Sequence, residues 1–283
     1  MKFNTFTSKH LPDFENDGYV IIKNFLSKEE VDLMYQTAIA DDSVSKNSID
    51  LNDAQGFKTR LALWYTPGED IYSMYSRCER VVAAAELILG GQVGHYHSKL
   101  MQKEPKKGGA WEWHQDYGYW YNNGFLFPQM VSIMVALTEA TKENGCMQVI
   151  KGSHKMERIN HNMSGEQVGA DMEKVNAALE RMELVYVELA PGDALFFHCN
   201  LLHRSNANLS EKARWSLISV YNLLTNVPYK PEPPSCYTPI DKVADDAILK
   251  VGGIGFGKDT DFLSREADIK FKEETVVKAQ YYT

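Results

Sequence analysis

Basic charge is in short supply in this chain. Its 283 residues carry 30 Lys and Arg against 38 Asp and Glu, a formal net charge of -8. A nucleic-acid surface needs a clustered basic face, so no nucleic-acid partner is expected. A local basic pocket for a small anion remains compatible with that balance. Cysteine is also scarce. Cys78, Cys146, Cys199 and Cys236 are scattered with no Cys-x-x-Cys spacing, which excludes a zinc knuckle and a disulfide framework. Reduced, buried thiols in a cytoplasmic protein are the expectation. Long apolar runs are missing. The longest, around Val81 to Leu89, is interrupted by Glu86 and is far too short to span a bilayer. Met1-Lys2-Phe3-Asn4-Thr5 opens no apolar h-region, so no signal peptide is expected. What the chain does have is 44% hydrophobic residues, enough for a sizeable core in one large domain.

The hydrophobic pattern divides the chain into three parts. A flank of helices and strands over about 1–92 comes first, then a strand-rich core over about 93–224, then a tail over about 225–283. In the flank, Asp17 to Leu26 reads as a turn and a short strand. Ser27 and Glu30 form a capping box ahead of a helix whose buried face is Val31, Met34, Tyr35 and Ala38. Asp41 to Phe57 is polar and reads as a loop, a candidate lid. Met74 to Leu89 reads as a second helix, closed by Gly90-Gly91. From Val93 the pattern is strands: Val93 to Met101 (with His95 and His97 on one face), Trp111 to Asp116, Gln129 to Leu137, Met147 to Ile150, Leu184 to Leu189, Ala194 to His198 and Trp215 to Tyr221. Asn160 to Arg181 breaks this rhythm and reads as an insertion on the rim, helical from Asp171. Short strands with turn signals and flanking helices give a mainly β fold, a double-sheet jelly roll. Gly253-Ile254-Gly255-Phe256-Gly257 follows no βαβ unit and is no dinucleotide loop. The tail is Pro-rich from Pro228 to Pro239, and nothing in the sequence speaks to oligomeric state.

One stretch carries chemistry. In Trp111-Glu112-Trp113-His114-Gln115-Asp116, His114 and Asp116 stand two apart, so an extended backbone projects both to one side. One imidazole and one carboxylate supply most of a 2-His-1-carboxylate facial triad, the arrangement of non-heme Fe(II) oxygenases. His203 is the candidate third ligand and His198 its competitor. Three protein ligands on one face of an octahedral ion leave three positions, enough for a bidentate co-substrate and O2. Arg214 lies just before the Trp215 strand, and a guanidinium is the natural bidentate partner of a carboxylate. Ser205 can add a hydroxyl from the same side. A 2-oxo acid would chelate the ion at one end and meet Arg214 and Ser205 at the other. Trp120 is the candidate wall of the substrate pocket, and His154 reads as a turn-packing residue.

These residues also carry a resemblance. His114-Gln115-Asp116, the run from Pro191-Gly192-Asp193 through His203-Arg204-Ser205-Asn206-Ala207-Asn208, and Arg214 resemble the phytanoyl-CoA dioxygenase family. Trp113 to Asp116, Trp120 and the His203 region are most similar to its ectoine hydroxylase branch, and the likeness spans about Asp17 to Asn222. The resemblance implies a cupin-like double-stranded β-helix using Fe(II), 2-oxoglutarate and O2 to hydroxylate a small molecule. It implies that His203, with its His-x-Ser-x-x-Asn pattern, is the distal ligand and that Arg214 binds 2-oxoglutarate. By the same resemblance, Lys103 matches a basic position and Trp111 an aromatic position beside the co-substrate. His198 stands where that branch has Asp, which puts ectoine itself in doubt as substrate. Halogenating members replace the carboxylate ligand by a small residue; Asp116 is present here. The alternative is a catalytically silent metal-binding or sensor protein on the same scaffold.

Overall fold

The computed structural model describes residues 4–53, 55–164, 166–230 and 236–269. The flank comprises α1 (Leu11–Asp17), β1 (Tyr19–Ile22), α2 (Lys28–Ala40), α3 (Asp42–Lys46), β2 (Ile49–Asn52), β3 (Lys58–Trp64), α4 (Ile71–Arg77) and α5 (Glu79–Leu89). Then come β4 (Val93–Lys103), β5 (Trp111–His114), α6 (Asp116–Asn123), β6 (Met130–Ala136) and β7 (Met147–Ile150). The rim insertion contains β8 (His161–Ser164), β9 (Gln167–Ala170) and α7 (Met172–Leu179). The chain continues through β10 (Leu184–Val187), β11 (Ala194–His198), β12 (His203–Ser205) and β13 (Arg214–Leu223) to α8 (Ala247–Val251).

These strands build two antiparallel sheets facing each other, a double-stranded β-helix. The large sheet runs β1-β11-β6-β13-β4-β3-β2, with the short Thr238–Pro239 strand paired to β4. The small sheet runs β10-β7-β12-β5. Alternation along β6 shows how one sequence serves two layers. Val131, Ile133 and Val135 point outward into the cluster under α2, α4 and α5, while Met130, Met134 and Ala136 point inward between the sheets. Ser132 lies on the inward face too, where a hydroxyl would be costly unless hydrogen-bonded. A third cluster, with Trp113, Ile150, Leu202 and Val175, seats α7 on the outside of the small sheet.

Several expectations change. The flank is part of the barrel: β1 pairs with β11, and β2 and β3 extend the large sheet beyond β4. The candidate lid at 41–57 is mostly α3 and β2, and Ile49 and Leu51 are buried in the inner cluster. The turn that remains is tied down, because one Asp53 oxygen accepts from the Gln55 and Phe57 amides and the other from Ala110 N at 2.7 Å. The second helix is two helices, broken at Cys78 (φ -54, ψ 138), where the tail intervenes: Glu79 N donates to Val243 O and Arg80 N to Asp245 Oδ1. The capping box holds, with Ser27 N donating to Glu30 at 2.8 Å and Glu30 N to Ser27 Oγ at 3.2 Å. The insertion does turn helical after its Asp171 N-cap, but a hairpin, β8–β9, precedes that helix and packs beside β5. The 231–235 part of the Pro-rich stretch lies outside the described residues.

His95 and His97 do not share a face. The β13–β4 register shifts between Val220 and Tyr221, so Tyr96 is an extra residue on β4. His95 therefore turns outward, edge-on to Tyr221 and bonded to Tyr65 O and Ser98 Oγ. His97 turns inward onto Trp120.

Candidate metal centre

The first candidate ligand comes from β5, the second from the start of α6 and the third from β12. The expected Trp111 to Asp116 strand stops at His114. Gln115 stays extended (φ -110, ψ 132) as the N-cap of α6, and Asp116 is the first helical residue. One extended residue suffices to keep His114 and Asp116 on one side. His203 lies directly across the ladder from His114. The two imidazole centroids are 4.0 Å apart, and Asp116 Oδ1 lies 3.7 Å from His114 Nε2 and 3.9 Å from His203 Nε2. All three residues are buried, and their donor atoms lie within 4.8 Å of one another. Among the described residues, no other cluster of His, Cys, Asp and Glu meets that geometry.

Each donor is aimed by a partner. His114 Nδ1 donates to Glu112 O and His203 Nδ1 to Leu201 O, both at 2.8 Å, which fixes the tautomers and leaves each Nε2 lone pair toward the centre. The Ser132 hydroxyl donates to Asp116 Oδ2 at 3.0 Å, so Oδ1 is the oxygen turned to the imidazoles. Burial opposes the Asp116 charge, but the Lys99 ammonium and the neighbouring His114 and His203 rings outweigh it and hold the carboxyl well below its ordinary range. Burial and the neighbouring His114 push His203 down to about 3. The set is one carboxylate and one neutral imidazole at least, the protonation a divalent cation requires.

A second feature lies on β4 and β13. Arg214 and Lys103 face each other across the β13–β4 ladder, and both are buried, Lys103 with 0% exposure. Lys103 Nζ donates to Gly109 O and Asn206 O, and Arg214 Nη1 to Gly145 O at 2.6 Å. Neither forms a salt bridge to a described residue, and Arg214 Nε is fully buried with no partner. Desolvation pushes Arg214 down to about 10, and desolvation with the Arg214 charge drives Lys103 well below its ordinary value. Two adjacent buried cations with an orphan N–H fit an anion. Ser205 and Trp111 are ladder partners in the next register, and Trp111 sits 6.1 Å from the His114 ring. Trp120 is buried on α6, edge-on to Tyr96 and His97. His198 is not in the centre: it ends β11, accepts from Asn200 N and lies tilted against His154 with centroids 5.3 Å apart. His154 Nε2 in turn donates to Glu15 O, a turn-packing role.

Two residues that matter here are not singled out by the sequence pattern. Gln115 N donates to His161 Nε2 at 2.9 Å, and the Gln115 side chain bonds Glu157 O, Asn200 O and Ile159 N. That network fixes the one residue between two ligands. His161 lies far along the chain in the rim hairpin, and no local spacing connects it to His114.

Comparison with known proteins gives the family and the fold. The phytanoyl-CoA dioxygenase (PhyH) family model matches residues 14–216. An ectoine dioxygenase of Sphingopyxis alaskensis is 26% identical over 233 residues, 77% of this chain and 76% of that protein. An L-proline trans-4-hydroxylase of Streptomyces griseoviridis is 31% identical over 182 residues, 59% of this chain and 68% of that protein. The crystal structure of EctD from S. alaskensis with bound Fe superposes with a TM-score of 0.70 at 23% identity, covering 86% of this chain and 90% of that one. By the span of its family match, the chain belongs to the phytanoyl-CoA dioxygenase family.

Proposed function

We propose that this protein is an Fe(II)- and 2-oxoglutarate-dependent dioxygenase that hydroxylates an unactivated C–H bond of a small-molecule metabolite and converts 2-oxoglutarate to succinate. The observation that carries the reading is the meeting, in one interior, of a facial donor set with two adjacent buried cations, one bearing an orphan N–H. A 2-oxo dicarboxylate answers both needs, with a chelating end for a metal and a distal carboxylate for the Arg214 fork. A silent metal binder would have no use for the second feature. Small-molecule names among the relatives, an ectoine dioxygenase and an L-proline hydroxylase, support the substrate class.

His114 and His203 would hold the iron through Nε2 and Asp116 through Oδ1. With 2-oxoglutarate and O2, bound iron supplies the oxidising chemistry. The chain's own residues aim and seal. Glu112 O and Leu201 O keep both imidazoles in the ligating tautomer, and Ser132 keeps Asp116 from rotating. Arg214 and Lys103 neutralise the distal carboxylate, with Ser205 beside them. Trp120 and Tyr96 wall off water from the reacting carbon. Asp116 would supply the carboxylate that halogenating enzymes replace, which disfavours halogenation.

Anaerobic titration should give one Fe(II) per chain and a charge-transfer absorbance that requires both Fe(II) and 2-oxoglutarate. Ala at His114, Asp116 or His203 should abolish both signals, while His198→Ala should keep them. Arg214→Lys should raise the 2-oxoglutarate KM by about tenfold or more, and Ser205→Ala by less. Absence of the absorbance in the wild type, or an unchanged KM in both variants, would sink the reading.

A further inference from the structure

Two polar groups of the interior have no part in the metal set or in the Arg214–Lys103 pocket. Lys99 lies on β4, two residues before Met101 and four before Lys103, so alternation turns it to the same inner face. It is half-buried, and its ammonium makes no hydrogen bond or salt bridge to a described residue. Its charge reaches the centre: among the influences that lower Asp116 it ranks first, and it also bears on His203 and His97. His97, two residues earlier, is turned inward by the bulge at Tyr96. Its Nε2 is buried and has no partner. Burial, with Lys99 nearby, holds that ring neutral, so it offers one N–H and no charge. Trp120 and Tyr96 pack against the His97 ring, with centroids at 5.9 and 4.8 Å.

The Lys99 ammonium has no bonding partner, and its attraction to Asp116 is offset once that carboxylate serves a divalent cation, so a further negative group between them is favoured. The Arg214–Lys103 pocket serves the co-substrate, so that group must come from the other reactant. We propose that Lys99 and His97 form the anion-binding end of the substrate site, and that the substrate is a small metabolite carrying a carboxylate, its carbon skeleton against Trp120 and Tyr96. One full charge and one neutral donor match a carboxylate monoanion, whose two oxygens can take one bond from each. A phosphate dianion would be left half-compensated. The bulge is what gives the site its two-part character: without it, His97 would leave the inner face and Lys99 would stand alone. This assignment rests on the hydroxylase reading for the identity of the co-substrate pocket, but its test is separate.

Binding is measured without turnover. Protein loaded with Zn(II) and 2-oxoglutarate is screened by saturation-transfer NMR against small carboxylic acids, L-proline among them, and the carboxamide of each. Phosphate monoesters form a third arm. The wild type should bind carboxylates in preference to their amides by at least about tenfold. Lys99→Met should erase that preference, Lys99→Arg should retain it, and His97→Phe should weaken it. Lys99→Met should leave the charge-transfer absorbance with Fe(II) and 2-oxoglutarate intact, which shows that the variant is folded and that the co-substrate pocket is separate. Equal binding of acids and amides by the wild type, survival of the preference in Lys99→Met, or a stronger response to phosphate monoesters would each overturn the proposal. Loss of the absorbance in Lys99→Met would instead place Lys99 with the co-substrate, and so refute it. Absence of the absorbance in the wild type would count against the hydroxylase reading, while the acid–amide comparison still decides Lys99.

Discussion

At the scale of single residues, His161 and Gly118 fix the turn between two candidate ligands without belonging to the donor set. A Cβ on Gly118 would lie 2.2 Å from the His161 ring, so only glycine lets that ring reach the Gln115 amide. Gly118→Ala and His161→Ala should each weaken Fe(II) affinity by roughly 10- to 100-fold, the usual effect of losing an outer-shell partner. A chelator competition assay on protein with unchanged far-ultraviolet circular dichroism measures this. Undiminished affinity in both would mean that the Gln115 side chain alone fixes the turn. The candidate ligand cluster is legible because its chemistry is written in residue type and short spacing: His114 with Asp116, then His203 ahead of Arg214. His161 was not, because a lone histidine in a polar stretch gives no hint of the amide it will meet.

At the scale of elements, periodicity located most strands and the α2 cap, and failed where one residue changed the count. The bulge at Tyr96 is one such place; no local signal separates an extra residue from regular alternation. The break at Cys78 is another, because tail residues Val243 and Asp245 supply the groups that let two helices meet there. The polar 41–57 stretch has the composition of a loop because β2 is short and lies at a sheet edge, where only Ile49 and Leu51 need be apolar. Glu30 shows how one residue can serve both a local and a distant partner. It completes the capping box and also accepts from Arg80 Nη2 at 2.6 Å, and both side chains are almost fully buried. Glu30→Ala should therefore cost on the order of 3–5 kcal/mol, more than a lost cap alone at about 1 kcal/mol. Chemical denaturation reads the difference, and Glu30→Leu with Arg80→Met should recover most of it. A loss no greater than that of an ordinary cap would mean that the pair contributes nothing beyond the cap.

At the scale of the whole molecule, burial of neutral imidazoles makes the fold sensitive to acid. Burial pushes His95 and His198 down to about 4 and His161 to about 3. In the unfolded chain each titrates near 6.5. Between those values the unfolded state binds more protons, so stability is fully present above about pH 6.5 and is lost as pH falls toward 4. Calorimetry of metal-free protein at pH 5, in buffers of different ionisation enthalpy, should show uptake of at least about three protons on unfolding, since His97 and His203 add to the share of these residues, and uptake below one would contradict the burial argument. The strand order has a further consequence, for synthesis. β13 lies between β4 and β6 at the middle of the large sheet, yet it is the last of these three to be made. A chain emerging from the ribosome thus holds two apolar strands with facing edges unpaired until Arg214 to Leu223 has left the tunnel. Open edges of that kind pair with other chains, so a nascent chain arrested before Arg214 should be protease-sensitive and captured by a holdase chaperone, and release should coincide with emergence of Leu223.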